Sequence, residues 1–453
     1  MAKYSAPGIY VEEIPHSPEI ETSTDGAVFL GYTEKHENLQ GENLCDLPTL
    51  IHSLREFELL FGFAQNEENL TIFDDSTATL EKISVGFEGS KSLHNLYYSL
   101  QAFFTQSASS CTIVSVGTYK CLGEPLKVED FEKGLAFLQK TNNNFLIAVP
   151  ESQNLAESDF YAVQQSILEY CARNKCFAIL DLPPASKDNY REMVSSYREK
   201  LESPHLSYGS AFFPNLITLF PYACDKSVLK IKKLGEEFSL ASFKTNNPLR
   251  YKKYAEVLTQ FFAEVPPSAA VAAAFLKNDN DKGISKAPAN IALQNVRQLA
   301  VPLSNSEQDF LTIDADSGKS INAIRNFTGR GNLIWGSRTL DGNSNEWRYI
   351  PTRRFANLLE NDLINALKPF GLEENSQTIW TEIKNKTQNY LLNFWQYGAL
   401  QGMKPAQGFF VRCGLGETMT AQDILEGNLL LEVGFAPARP AEFIVLHIQQ
   451  KMA

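Results

Sequence analysis

Between Cys111 and Phe212 short apolar runs alternate with amphipathic ones, and this alternation limits the fold more than any other part of the chain. The runs Cys111–Val116, Phe145–Val149, Cys176–Asp181 and Tyr208–Phe212 are apolar almost throughout. Between them lie helical patterns. Asp130–Lys140 puts Phe131, Leu135 and Leu138 on one face; a stretch from Ser158 does the same with Val163, Ile167, Leu168 and Cys171; Lys187–Leu201 is the third. A strand that is apolar on both sides must be covered on both faces, and parallel strands need helical crossovers to reach their neighbours. The expected class is therefore α/β (α+β overall), with a parallel layer in one domain and a mixed C-terminal domain.

The two ends are the next constraint. The run Leu429–Gln450 contains Phe443, Ile444, Val445 and Leu446, β-branched or aromatic and unbroken in apolarity, so it reads as a strand covered on both faces. The stretch Pro7–Ile14, with Ile9, Tyr10 and Val11, is also extended and is closed by Pro15. Chain ends are ordinarily polar and frayed. Two strand-forming ends imply that each completes a sheet, and if that sheet belongs to a neighbouring copy the protein is a polymer subunit.

At 453 residues the chain can bury more than one core. Its net charge of −12 argues against general nucleic-acid binding. No run of 18 apolar residues occurs, so no membrane span is expected, and the start MAKYSAPG lacks the apolar core of a secretory signal. Seven scattered cysteines suit free thiols in a reducing compartment, so assembly in the cytoplasm is expected.

Elsewhere the pattern is coarser. Residues 64–90 read as loop or hairpin, and a helical face runs from Ser92 through Leu96, Leu100 and Phe103. Residues 224–250 read as a lysine-rich inserted lobe, Leu249–Ala263 as a helix, and Pro266–Leu276 as an alanine-rich helix ending in a turn at Asp279–Gly283. After the glycine-punctuated strands of 321–354, two helical stripes follow, one through Phe355, Leu359 and Leu363, the other through Ile383, Tyr390 and Phe394.

Chemistry-bearing motifs fail on inspection. Gly318-Lys319-Ser320 ends like a phosphate loop, but the glycine due five residues earlier is Ile313. Asp279–Gly283 and Asp314–Gly318 start like calcium loops, but the twelfth positions are Asn290 and Arg325. None of the six histidines has metal-ligand spacing, and no nucleophile, acid and base come together. No catalytic, cofactor or metal residue is expected. The rival reading is an α/β enzyme or monomeric binding module, with a ligand at the strand carboxyl ends near Val116, Pro150 and Asp181. Asp181 there reads more readily as the start of a turn before Pro183-Pro184.

One stretch departs from the acidic balance. Residues 323–354 carry Arg325, Arg330, Arg338, Arg348, Arg353 and Arg354 against Asp341 and Glu346. Arginine favours carboxylate partners at interfaces, so Arg325, Arg330, Arg338, Arg353 and Arg354 are candidates for a surface facing an acidic protein, with internal salt bridges as the plain alternative.

Ordered pieces along the chain resemble the tail-sheath proteins of contractile phage tails and injection systems. They are Tyr4–Ile14, Val265–Val271 (VPPSAAV), Lys286–Asn290 (KAPAN), Ile321–Arg325 (INAIR), Gly329–Gly331, Trp335–Leu340 (WGSRTL), Arg353-Arg354 and Ala436–Ile444 (APARPAEFI). The chain departs from the family at Ser337 and Thr352, where alanine and valine are usual. Residues 35–110 and 224–250 match little, as variable outer decorations would. The resemblance implies an N-terminal linker arm over 1–20, an outer α/β domain over 21–340, and an inner sheath domain over 341–453 ending in the strand arm 429–450. It also implies a non-catalytic protomer that forms stacked hexameric rings around an inner tube, exchanges its terminal strands with neighbours, and contracts. Its implied partners are copies of itself, the tube protein, baseplate and cap proteins and sheath paralogues, within a phage tail or tail-like particle.

Overall fold

The computed structural model describes residues 26–38, 40–77, 81–138, 145–437 and 443–452. The chain separates into two compact units, Ser23–Asn361 and Asp362–Ala436 with Phe443–Ala453. The division falls inside one helix, Ile350–Leu367.

The larger unit opens with β1 (Gly26–Thr33), β2 (Thr49–Ile51), α1 (Leu54–Phe61), β3 (Leu70–Asp74), β4 (Ile83–Phe87) and α2 (Leu96–Thr105). The alternating region follows as β5 (Cys111–Thr118), α3 (Val128–Leu138), β6 (Phe145–Ala148), α4 (Glu157–Asn174), β7 (Phe177–Asp181), α5 (Tyr190–Lys200) and β8 (Gly209–Phe213). Next come β9 (Leu216–Pro221), β10 (Lys230–Lys233), β11 (Glu236–Ser239), α6 (Leu240–Asn246), α7 (Pro248–Thr259), β12 (Phe262–Val265) and α8 (Ser268–Lys282). The unit closes with β13 (Ile291–Ala292), β14 (Val296–Leu299), α9 (Asn305–Thr312), β15 (Ile321–Phe327), β16 (Gly331–Ile334) and the start of α10 (Ile350–Leu367).

The expected parallel layer is the centre of a nine-stranded sheet, ordered β13-β16-β15-β8-β7-β6-β1-β5-β2. β1 pairs in parallel with β5 on one side and β6 on the other. Its residues from Ala27 to Thr33 are all buried, because helices and loops cover both faces. One face packs Val28, Leu30, Val114 and Ile147 under α3, α4 and α5; the other packs Phe29, Ile113 and Phe177 under α2 and the alanine-rich α8. Ala269, Ala270, Ala273 and Phe275 of α8 are all but fully buried, so small side chains bring that helix close to the sheet.

The two weakly patterned regions prove to be halves of one lobe. β10 adds in parallel to β3, which pairs antiparallel with β4, giving the sheet order β11-β10-β3-β4. Leu70, Ile72, Leu229, Ile231, Leu240, Tyr254 and Leu258 form its own core. Asp74 is wholly buried there. Arg250 approaches its two carboxylate oxygens at 2.6 and 2.7 Å and Tyr254 donates its hydroxyl at 2.6 Å. Burial pushes the Asp74 carboxyl upward, but the hydrogen bonds from Arg250, Ser76 and Tyr254 outweigh it and hold the group far below the ordinary carboxylate range.

Several expectations are corrected. The helix placed over Leu249–Ala263 ends at Thr259, and Phe262–Val265 is a strand. The turn placed at Asp279–Gly283 is the last turn of α8, which runs to Lys282 and stops at Gly283, where φ is +89°. Arg354 holds this turn: its guanidinium binds Asp279 at 2.6 and 3.2 Å and lies over Phe275, tying α8 to α10. Arg354 is 2% exposed. Truncating one partner of a buried ion pair leaves the other charge unpaired, at a cost of about 3–5 kcal/mol. Arg354→Ala is expected to lose stability on that scale, measured by urea unfolding, whereas Arg330→Ala at an exposed site should stay within about 0.5 kcal/mol.

Candidate inter-subunit site

The smaller unit holds the end of α10, α11 (Gln377–Gln396), α12 (Pro405–Gly408), β17 (Phe409–Arg412), α13 (Ala421–Leu425), β18 (Asn428–Phe435) and β19 (Ile444–Lys451). Its three strands form an antiparallel sheet in the order β17-β18-β19. β18 and β19 pair without a break from Asn428↔Lys451 to Phe435↔Ile444. The C-terminal run, expected to leave the fold, is thus the third strand of its own chain's sheet.

Nor is that run covered on both faces. Ile444, Leu446 and Ile448 are buried with Leu429, Leu431, Val433 and Phe435, while Val445, His447 and Gln449 face outward. An antiparallel strand at a sheet edge needs cover on one side only, and the apparent continuity of the run comes from two exposed apolar residues. Phe443 is 43% and Val445 39% exposed. Phe443 packs on Phe410 with ring centroids 5.5 Å apart. Phe410 lies flat over Gly434, where a Cβ would sit 2.1 Å from its ring. This makes an apolar strip of Phe410, Phe443 and Val445 on the open face. Farther along, Glu432 meets Arg412 at 3.0 Å and His447 at 4.0 Å across the strands.

Among the described residues no strand pairs with the outer edge of β17 or of β19. Each edge therefore offers backbone donors and acceptors to another strand. Leu372, Tyr397, Met403 and Leu425 of the same unit are each more than four-fifths exposed. Ile9, Tyr10 and Val11 lie outside the described residues.

The five candidate arginines do not share one face. Arg353 is buried, lies 3.8 Å from the Trp347 ring centroid, bonds Asn357 at 2.8 Å and meets Glu360 at 3.3 Å. Arg353 and Arg354 are therefore core ion pairs and not surface groups. Arg325 is half-buried against the Leu303 carbonyl and Gln308; Arg338 is half-buried near the Thr312 carbonyl; Arg330 is exposed and bonds Asn290.

At the strand carboxyl ends named by the enzyme reading, the polar groups nearest the strands are held by the chain itself, and a cleft lies farther out beyond β6 and β7. Asp181 is buried and accepts the Ser268 N–H at 2.9 Å, so it caps α8. Between β1 and β6, where the strand order reverses, the fully buried Glu151 accepts the Tyr32 N–H at 2.8 Å and lies 3.4 Å from His94 Nδ1. Lys319 of the phosphate-loop lookalike points inward to the Arg198 carbonyl, and Ser320 bonds the Thr312 carbonyl at 2.7 Å. Among the described residues no group of three His, Cys, Asp or Glu could hold a metal, and no helix is long and apolar enough to cross a membrane.

Known proteins match at two levels. Residues 343–451 match the phage tail sheath C-terminal domain. The whole fold is similar to a chain of the contracted helical sheath of the anti-feeding prophage, at 25% identity over 98% of both chains with a TM-score of 0.63. It is similar to a chain of the six-fold symmetrised baseplate of that particle, at 25% identity over 99% of this chain and 100% of the other, with a TM-score of 0.61. A sheath-complex chain of an extracellular contractile injection system in its contracted state shares the fold at 24% identity, over 99% and 98% of the two chains, with a TM-score of 0.62. No curated protein sequence matches the chain.

Two measurements check this site. Leu446→Ser should cost about 2–5 kcal/mol in urea unfolding, as a buried apolar side chain is lost, while Val445→Ser stays below about 1 kcal/mol. Burial raises the Asp181 carboxyl to about 7 from its ordinary 3.8. The folded chain keeps this proton where the unfolded chain has released it, so the contribution to stability is full below pH about 4 and falls as pH rises to about 7. Asp181→Asn should flatten that fall by up to about 3 kcal/mol between pH 4.5 and 7.5, read from unfolding curves at both values.

Proposed function

We propose that the chain is a contractile tail-sheath subunit, which polymerises with copies of itself as stacked hexameric rings around an inner tube and contracts to drive the tube through a target envelope. The observation that carries this reading is the C-terminal sheet, whose two outer strands have no further strand partner among the described residues and whose face bears an apolar strip from Phe410 to Val445. The segment Pro7–Ile14, led by Ile9, Tyr10 and Val11, supplies a strand from a neighbouring copy to such an edge. Phe443, Ile444, Val445 and Leu446 complete the joint from β19, which pairs with its own β18 in the single chain and exchanges to a neighbour's β18 in the polymer.

Strand addition satisfies edge groups at roughly 0.5–1.5 kcal/mol net per hydrogen bond, so about four bonds give several kcal/mol before apolar burial. Each protomer both gives and accepts, and dissociation then requires several breaks together. Arms 1–20 and 429–450 carry connectivity; the outer and inner domains, expected at 21–340 and 341–453 and here parting between Asn361 and Asp362, move as bodies during contraction. The energy is stored at assembly, so the cycle needs no nucleotide. Of the five candidate arginines, Arg325, Arg330 and Arg338 are the ones an acidic partner can reach. The tube, baseplate and cap proteins and sheath paralogues complete the particle, which assembles in the cytoplasm. The likeness to chains from sheath and baseplate assemblies supports this reading.

Deleting Met1–Ile14 is the cleaner test, because deleting Ala441–Ala453 also strips the buried face of β19 from its own sheet. The N-terminal deletion is expected to leave a folded chain that forms no tubes by negative-stain microscopy. Tubes of normal length would refute the arm joint.

A further inference from the structure

The hairpin joining β10 to β11 ends in a residue that its turn disfavours. Lys233 pairs with Glu236, leaving Leu234 and Gly235 as a two-residue loop. Their φ angles are +52° and +87°. A type I′ turn demands positive φ at both positions, which asparagine, aspartate and glycine accept and leucine resists. Leu234 is also 82% exposed, so packing within the chain does not hold it there. An apolar side chain presented to solvent on strained backbone points to a contact made outside the chain. Lys232 pairs with Glu88 and Glu237 and Lys233 lies 3.7 Å from Asp74, so the charge the tip presents outward is that of the exposed Glu236.

A complementary hollow lies on the same unit. A cleft of about 420 Å³ opens beyond the carboxyl ends of β6 and β7, where the chain leads into α4 and α5. Leu155, Phe160, Tyr161 and Met193 supply apolar lining, and Glu157 and Glu192 are its exposed acids. Lys200 pairs with Glu157, so this margin carries both signs. The hollow takes a leucine side chain together with the stem of an adjoining lysine.

We propose that the Leu234 tip of one copy seats in this cleft of a second copy, with Glu236 facing Lys200. The contact rests on the sheath reading for its supply of neighbouring copies. Knob and hollow are different patches of one molecule, so the contact is head-to-tail and propagates as a ring or helix instead of stopping at a dimer.

The test uses the full chain with the exposed Cys121 replaced (Cys121→Ser). Leu234→Cys and Met193→Cys, mixed as separate proteins under mild oxidation, should give a covalent dimer; the double variant should give a ladder, and each single variant alone neither. Leu234→Asn relieves the turn, so it should fold at least as stably while self-association by sedimentation weakens about tenfold. No dimer from the mixture, or unchanged association of Leu234→Asn, overturns the proposal; the latter is also the result expected if the cleft holds a small molecule or an unrelated partner. Microscopy of the same samples reports separately on the sheath reading. Tubes without cross-links defeat the knob contact alone, and cross-links without tubes defeat the sheath reading alone.

Discussion

A strand bonded along both edges and covered on both faces has no group left to offer solvent, and β1 is such a strand. Its parallel pairing to β5 and β6 settles the strand order around it and requires each crossover to pass over a face. Those crossovers supply α3, α4 and α5 on one side, while α2 and α8 fill the other. The same arrangement places the reversal of strand order beside β1, the position at which folds of this kind usually leave a ligand crevice. Here Glu151 fills it, bound by a backbone N–H of β1 itself. The hollow that remains lies farther out, beyond the carboxyl ends of β6 and β7.

The smaller unit answers the opposite constraint. Among the described residues its sheet has three strands and no partner on either side, and its buried face depends on alternate residues of β18 and β19. What remains outside is apolar at Phe410, Phe443 and Val445 and unpaired along two strands. Soluble monomers usually blunt such edges with charge, proline or bulges. Here Arg412 on β17 and Lys451 on β19 put charge on the two outer strands, while the apolar strip across the face stays exposed.

The parallel layer was legible because its strands are apolar on both sides and the helices between them are long enough to show a period. The C-terminal run was legible as a strand but not as to its cover: a solvent-facing Val445 looks the same in a sequence as a buried one. The lobe was not legible, since β10 has a single buried apolar residue, Ile231, and its partner β3 lies far upstream. Asp279–Gly283 has turn composition, yet the Arg354 guanidinium holds its first residue in a helix. Arg353 and Arg354 looked like surface charge for the same reason: Trp347 sits near in sequence, but Tyr208 and Asp279 are supplied by the fold. Nothing in local pattern marks the Leu234 tip; its signal is the conjunction of a positive φ with an exposed leucine.

The lobe's construction has a consequence for biosynthesis. Asp74 waits for Arg250, which is 176 residues downstream. At roughly 5–20 residues per second of synthesis, that interval is roughly 9–35 s. Throughout it the β3–β4 hairpin has left the ribosome without the strand and helix that cover Ile72 and neutralise Asp74. A nascent chain in that condition presents one apolar strand edge beside a lone carboxylate, so this lobe is the place where crowding of half-made subunits would first be felt.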